Sequence, residues 1–250
     1  MIALAIYGGL SARQTALNET QSVLPGIKGM AEGFTKIVAS QGTNKNPKPS
    51  WLWQDTKASL SRLAAGTTLG VLASIVVGIL MGAYRWIEAP LAPLISFMAK
   101  IPPTAMLPLY MVACGTNFNF FVAMVSLGIF FTMAQSVFQA TRQDVTQEAI
   151  QKAYTLGASD MEVIFEVIWP QIMPRILENI RLQIGPAMVF LIAAEVLIAD
   201  VGFGYRIRME SRLLRMNNVY WYLAFLGGFG LLLDWLMFKL RQWLAPWFQG

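Results

Sequence analysis

Histidine does not occur in this 250-residue chain, and cysteine occurs once, as Cys114. These shortages exclude a good deal of chemistry. A structural zinc site needs several Cys or His ligands, an internal disulfide needs two thiols, and the commonest general base is an imidazole. No metal-ligand set and no nucleophile–base pair stands out among the other residues, so the chain reads as having no catalytic site and no metal. The phosphate-binding pattern G-x-x-x-x-G-K-[ST] is missing as well, so the chain does not cradle ATP in that way by itself. Charge is scarce: only 13% of residues are Asp, Glu, Lys or Arg.

Apolar residues fill the space that charge leaves. They make up 56% of the chain, with 15 Phe, 14 Met and 8 Trp, and the mean hydropathy is +0.51. A soluble domain of this size could not hide so much apolar surface, so the chain reads as an integral membrane protein. The net charge of +5 then reads as loop charge beside anionic headgroups, with no nucleic-acid partner.

A membrane-crossing helix needs about 20 mostly apolar residues. Leu63–Ala83 fits and carries two G-x-x-x-G spacings, Gly66/Gly70 and Gly78/Gly82, which read as ordinary helix packing. Ala92–Ala113 is interrupted by Pro102, Pro103 and Pro108. Each proline removes a backbone donor, so this span is either kinked or lines a pathway. Asn117–Val137, Ile184–Ile198 and Tyr220–Trp243 complete the full spans, the last with Trp221 and Trp243 as interface anchors. MIALAIYGGL (1–10) is too short to cross and reads as the end of a further span or a short mobile start. Residues 11–60 are polar and partly amphipathic around GTNKNPKPS (42–50). The expectation is an all-α polytopic protein of about five to six spans. Residues 1–60 form an N-terminal segment, and residues 61–250 form one transmembrane domain with a loop at 141–176. Lys/Arg counts are too even to orient it.

Within that loop, KAYTLGASDMEVIFEVIWPQIMP (152–174) is neither apolar enough to span nor polar enough for a linker. Residues 148–156 predict a short helix, Gly157 a left-handed close, and Ser159 with Glu162 a capping box. The second helix is expected to run through Met161, Ile164, Phe165 and Ile168, sharing one face, and to stop at Pro170. Such a helix pair packs either on its own spans or on a separate soluble subunit.

From Gln151 onward the segment resembles the cytoplasmic EAA loop of permease subunits of ATP-binding-cassette (ABC) importers. Gln151, Lys152 and Ala153 stand at the E-A-A positions, Gly157 at the glycine, and Val167, Trp169 and Pro170 at the I, L and P places. KIPPTAMLPL (100–109) and AAEVLIADVGFGY (193–205) are similar to further segments of the nitrate/sulfonate/taurine/bicarbonate branch. Gln151 departs from the family's glutamate, and Glu148 lies one turn earlier.

The resemblance implies a type I ABC importer transmembrane domain in a bacterial inner membrane, with the EAA loop cytoplasmic. It implies a homodimer with a second permease copy, two ABC ATPase subunits that bind ATP and Mg, and a soluble substrate-binding protein outside. The cargo it implies is a small anion of nitrate, sulfonate, taurine or bicarbonate type. Similar permeases carry neutral or cationic nitrogen compounds, and the competing class is a secondary transporter that needs no ATPase. The residues implied for ATPase coupling are Gln151, Ala153, Gly157, Ser159 and Pro170. Glu195, inside an apolar span, either lines the path or pairs with an arginine such as Arg206. Lys100, beside Pro102 and Pro103, either attracts an anion or snorkels to the interface. Arg208, Arg212 and Arg215, at i, i+4 and i+7, would share one face of a helix on the outer side. There they either pair with lipid phosphate or with Glu210, or they dock an acidic surface of the binding protein or draw an anionic substrate inward.

Overall fold

The computed structural model describes residues 27–39, 41–43 and 46–244. The expected partial span at 1–10 lies outside them. In chain order the elements are α1 (Ile27–Val38), a hairpin of β1 (Gln41–Thr43) and β2 (Asn46–Lys48), α2 (Trp51–Ala83) and α3 (Arg85–Met98). A 3₁₀ turn (Pro103–Met106) leads to α4 (Leu107–Cys114), followed by α5 (Phe118–Gln143) and α6 (Gln147–Thr155). The last three are α7 (Asp160–Ile198), α8 (Phe203–Arg212) and α9 (Met216–Leu244). The strands pair antiparallel with Gln41 opposite Lys48. Helices α2, α5, α7 and α9 are long and apolar enough to cross a membrane, and α3 with α4 makes a fifth candidate as a bent pair. The chain divides into two units, one of residues up to Arg62 with Leu191–Phe229, the other of Leu63–Phe190 with the residues from Gly230 on.

In the second unit the glycine spacings of α2 explain its packing. A Cβ at Gly66 would stand 2.6 Å from the Val125 Cβ, and one at Gly78 would stand 2.6 Å from the Val137 Cβ. Gly70 meets Ile129 and Gly82 meets Thr141 in the same way. The four glycines thus form one stripe that lets α2 lie against α5 within the chain. Buried Ser74 shares its one hydroxyl proton between the carbonyls of Gly70 (2.7 Å) and Phe130 (3.0 Å), so the buried hydroxyl is not left without a partner. Ile79, Met133, Val137 and Ala140 continue this core toward α6 and α7.

The proline-rich span is kinked, as one of its two expected readings had it, with the limbs Arg85–Met98 and Pro103–Cys114 meeting at 88° across Ala99–Pro102. Pro170, by contrast, stops nothing, because α7 runs on through Pro170, Pro174 and Pro186. The reason lies one residue earlier. Val163–Ile168 form a π turn in which the Trp169 N–H donates to the Ile164 carbonyl, five residues back. The wider turn accommodates a residue that has no donor of its own.

In the other unit, α1 lies on α9. Trp221 Nε1 donates to the Met30 carbonyl (2.8 Å), and its ring packs on Phe34 and Phe225. Trp221 is therefore a packing residue of this unit, while Trp243 is 78% exposed. Ile37, Phe203 and Tyr222 form the apolar centre of this unit. The expected boundary at residues 60/61 falls inside α2, whose first turns hold buried Asp55 and Ser59.

Candidate functional site

The capped corner between α6 and α7 is built from local chemistry. Helix α6 closes with the Gly157 N–H donating to the Tyr154 carbonyl (3.0 Å) and the Ala158 N–H to the Ala153 carbonyl (3.1 Å). Gly157 takes φ +88°, the left-handed close expected of it. Ser159 then caps α7 reciprocally. Its Oγ accepts from the Glu162 N–H (3.4 Å), and Glu162 Oε2 accepts from the Ser159 N–H (2.7 Å). Tyr154 Oη donates to Asp160 Oδ1 (2.9 Å) across the corner. That bond raises the Tyr154 phenol above its ordinary pKa, because the neutral donor form is the one it favours.

The helix pair packs on the chain's own spans with one face and leaves the other exposed. Ile150, Ala153, Ala158, Val163, Ile164 and Ile168 turn to the chain's own core. Leu156 (88% exposed), Met161 (61%) and Phe165 (66%) point away from it. Met161 and Phe165 therefore do not share the face of Ile164 and Ile168, because the π turn slips the apolar register of an ordinary helix. Gln151, Gly157 and Ser159 are exposed on this corner and Ala153 is half-buried, while Pro170, also exposed, lies further along α7 beyond the π turn. Asp144, at the start of the loop, accepts both Nε and Nη2 of Arg175 at 3.0 Å, which ties the loop to α7.

A second constellation lies in the other unit. Asp55, Ser59 and Arg62 lie at i, i+4 and i+7 on α2 and face the turn between α7 and α8. Asp55 accepts from the Gly202 N–H (3.0 Å), Arg206 Nε (2.9 Å) and Tyr222 Oη (2.7 Å). Glu195 accepts from Ser59 Oγ (2.8 Å), Arg62 Nη1 (2.8 Å) and the Gly204 N–H (3.0 Å). Ser59 Oγ also accepts from the Phe203 N–H (3.0 Å), and Arg62 reaches the Val201 carbonyl (2.7 Å). Asp55 and Glu195 are fully buried, and a buried carboxylate persists only when paired in this way. Burial opposes the charge of Arg206, but the hydrogen bond and charge of Asp55 outweigh it and hold the guanidinium above its ordinary pKa.

The G-x-G of residues 202–204 follows from this arrangement. A Cβ at Gly202 would stand 2.5 Å from Glu195 Oε1, and Gly202 already has φ +131°. A Cβ at Gly204 would stand 2.7 Å from the Glu195 Cβ. The carboxylate occupies the space that side chains would need.

The arginine assignments need correction. Glu195 pairs with Arg62 and not Arg206, which belongs to Asp55. Nor do Arg208, Arg212 and Arg215 share a helix face. α8 ends at Arg212, Leu214 turns left-handed at φ +56°, and Arg215 lies beyond the turn. Arg208 donates to the carbonyls of Leu197 (2.8 Å) and Ala199 (3.2 Å), the end of α7, so it is a helix cap. Glu210 is buried and accepts from Asn218 Nδ2 (2.7 Å). Arg212 and Arg215 remain exposed, flanking exposed Leu213 and Leu214.

Lys100 and Pro102 are exposed at the α3–α4 break. Pro103 lines a cavity of about 280 Å³ with Met106, Tyr110, Phe131, Gln183 and Phe190, and no charged side chain faces it. Asp55, Ser59 and Tyr222 were missed by sequence reasoning. Starting the first span at Leu63 discarded the polar stripe of Asp55, Ser59 and Arg62, whose helical spacing was the available signal.

The sequence profile of the family described as binding-protein-dependent transport system inner membrane component matches residues 70–250. The chain belongs to that family. It is similar to the taurine transport system permease protein TauC of Escherichia coli, 32% identical over 90% of this chain and 80% of that one. It is 27% identical to the bicarbonate transport system permease protein CmpB of Synechocystis, over 90% of this chain and 89% of that one. A probable ABC transporter permease protein of Brucella melitensis is 32% identical over 77% of this chain and 78% of its own length. The fold is shared with a chain of the MetNI methionine ABC transporter solved in inward-facing conformations, with TM-score 0.62 and 17% identity. That match covers 78% of this chain and 97% of that one. This permease is thus a multi-pass inner-membrane subunit of a binding-protein-dependent ABC importer. It is not itself an enzyme: a partner ATPase binds the ATP, and a binding protein is the other partner.

Proposed function

We propose that this permease carries a small anion of the sulfonate or bicarbonate type and takes its drive from ATPase subunits docked on the α6–α7 corner. The observation that carries the coupling half is the corner itself, a reciprocally capped, glycine-closed turn with Leu156 88% exposed. A rigid apolar tip on a polar loop is suited to transmit a push, and transmission asks for stiffness rather than reactive side chains. Gln151, Ala153, Gly157, Ser159 and Pro170 form that lever, and two copies of the permease present two of them. Lys100, Pro102 and Pro103 belong to the path in this reading. On the outer side Arg212 and Arg215 meet the binding protein, and clustered positive charge there speeds encounter with an acidic surface. The anion preference rests on the likeness to TauC and CmpB.

The test is a reconstituted importer with its own ATPase and binding protein. Taurine (a zwitterion bearing a sulfonate), other small sulfonates, nitrate and bicarbonate, and uncharged and cationic nitrogen compounds without an acidic group, are each supplied in turn while ATP hydrolysis is measured. One of the sulfonate, nitrate or bicarbonate compounds is expected to stimulate hydrolysis through the binding protein. Stimulation confined to uncharged or cationic nitrogen compounds overturns the cargo assignment, and transport that persists without the ATPase overturns the coupling.

A further inference from the structure

The polar stripe of α2 has a role that neither cargo contact nor ATPase coupling uses. Asp55 and Ser59 are fully or nearly fully buried, and Arg62 is close to it. All three hydrogen-bond to the segment from Glu195 to Arg206, and Asp55 accepts from Tyr222 Oη as well. Three consecutive backbone N–H groups, those of Gly202, Phe203 and Gly204, are received by Asp55, Ser59 and Glu195 in turn. Those are the first N–H groups of α8, which an isolated helix would leave without partners. From the other end, Leu213, Leu214 and Arg215 donate backwards to Met209, Ser211 and Glu210, and buried Glu210 is itself held by Asn218. Helix α8 is thus gripped at both ends. What it carries at its C-terminal end is the exposed run Arg212, Leu213, Leu214 and Arg215, with Leu214 held in a left-handed conformation that a leucine does not choose freely.

We propose that Asp55, Ser59 and Glu195 are positioning residues: they set α8 so that the Arg212–Arg215 knuckle meets an apolar, acid-rimmed patch on the binding protein. This rests on the reading above in one respect, the cytoplasmic placement of the α6–α7 corner. One span, α7, separates that corner from the 199–202 turn, so the knuckle lies on the outer face. Glu195 acts here through the turn and touches no cargo. Its oxygens are taken by Ser59, Arg62 and Gly204, and it has no exposed surface. The binding protein is the occupant because the family depends on one. The two leucines between arginines give the knuckle an apolar centre with a charged rim, the usual composition of a protein contact.

The experiment measures ATP hydrolysis by the importer in proteoliposomes as the concentration of loaded binding protein is raised. Ser59→Ala removes the hydroxyl that joins Glu195 to the Phe203 N–H, and Tyr222→Phe is the milder variant, deleting one bond to Asp55 at constant shape. Both are expected to raise the half-saturating concentration, Ser59→Ala on the order of tenfold. Turnover at saturation should stay within about twofold, the pattern of lost binding rather than lost chemistry. Ser59→Thr, which keeps the hydroxyl, should restore the wild-type value. Arg212→Gln with Arg215→Gln should raise the same concentration, and adding Ser59→Ala should give less than the product of the two effects, because both act on one contact. A change in saturated turnover or cargo preference at unaltered half-saturation overturns the proposal in favour of a path role. So does full additivity, and so does an unchanged response in the Arg212/Arg215 variant, which would assign the knuckle to lipid. If wild-type permease and ATPase do not co-purify, or the binding protein does not stimulate them, the importer reading fails first and takes this one with it.

Discussion

Gly157 has φ +88°, and nothing lies within 4 Å of where its Cβ would stand. Substitution there meets open space, so its whole cost is backbone strain, about 1–2 kcal/mol for a left-handed non-glycine residue and more when β-branched. Gly157→Val is therefore expected to leave the protein in the membrane at near-normal level while reducing ATPase co-purification. Gly157→Asn, which tolerates the conformation better, should do less. Quantitative pull-down of the ATPase decides, and equal recovery for all three proteins would remove Gly157 from the coupling corner. Gly202 is the opposite case. Its Cβ would collide with the Glu195 carboxylate, so Gly202→Ala should lower the amount of folded protein as well as function. Of the two glycines, the turn at 157 was legible from the sequence because helix, glycine and capping box are local signals. The partner of Glu195 was not legible, because Arg62 is 133 residues away and no spacing rule reaches that far.

The glycine stripe of α2 acts at the scale of an element. Gly66, Gly70, Gly78 and Gly82 face α5 at close approach, and Gly78→Leu would force a side chain between Val137 and the Ala134 carbonyl. Overpacking of this kind costs about 1–3 kcal/mol, and a lower melting temperature of the detergent-solubilised protein is expected. Gly227 and Gly228, with nothing near them, should accept leucine without that loss. Helix α9 meets α7 through ion pairs instead: Asp234 takes Arg181 in a bidentate pair at 2.6 and 2.9 Å, and Arg241 pairs with Glu178. Arg181→Leu alone should destabilise more than Arg181→Leu with Asp234→Leu, because the single change strands a carboxylate on an apolar helix. Helix existence was readable from apolar run length, and the G-x-x-x-G intervals announced a close contact. What continues through Pro170 was not readable. Proline reads as a stop unless the turn before it is widened, and a π turn leaves no mark in composition.

For the whole molecule, the proposed topology puts the two ends of α7 on opposite membrane faces. With Cys114 replaced by serine, Leu156→Cys should react with an impermeant thiol reagent only in inside-out vesicles. Leu213→Cys should react only in right-side-out cells. Both positions are well exposed, at 88% and 51%. Labelling from the same side would overturn the topology and with it the outer placement of the knuckle.

The break between α3 and α4 sets a demand on the lipid. The 14-residue limb Arg85–Met98 rises about 21 Å, and the limb Pro103–Cys114, a 4-residue 3₁₀ turn followed by an 8-residue helix, about 20 Å, against a hydrocarbon core about 30 Å thick. With 88° between them, the two cannot both lie along the bilayer normal, so their lengths do not add and neither limb alone reaches across. Trp86, 74% exposed near the start of α3, is placed to hold one limb at headgroup level. Beside this segment the membrane must thin locally, or one limb must be covered by protein. Thickness therefore becomes a control variable. In vesicles of short-chain lipids the mismatch is relieved, and in long-chain lipids it deepens, so transport rate should fall as acyl length grows even though no residue has changed.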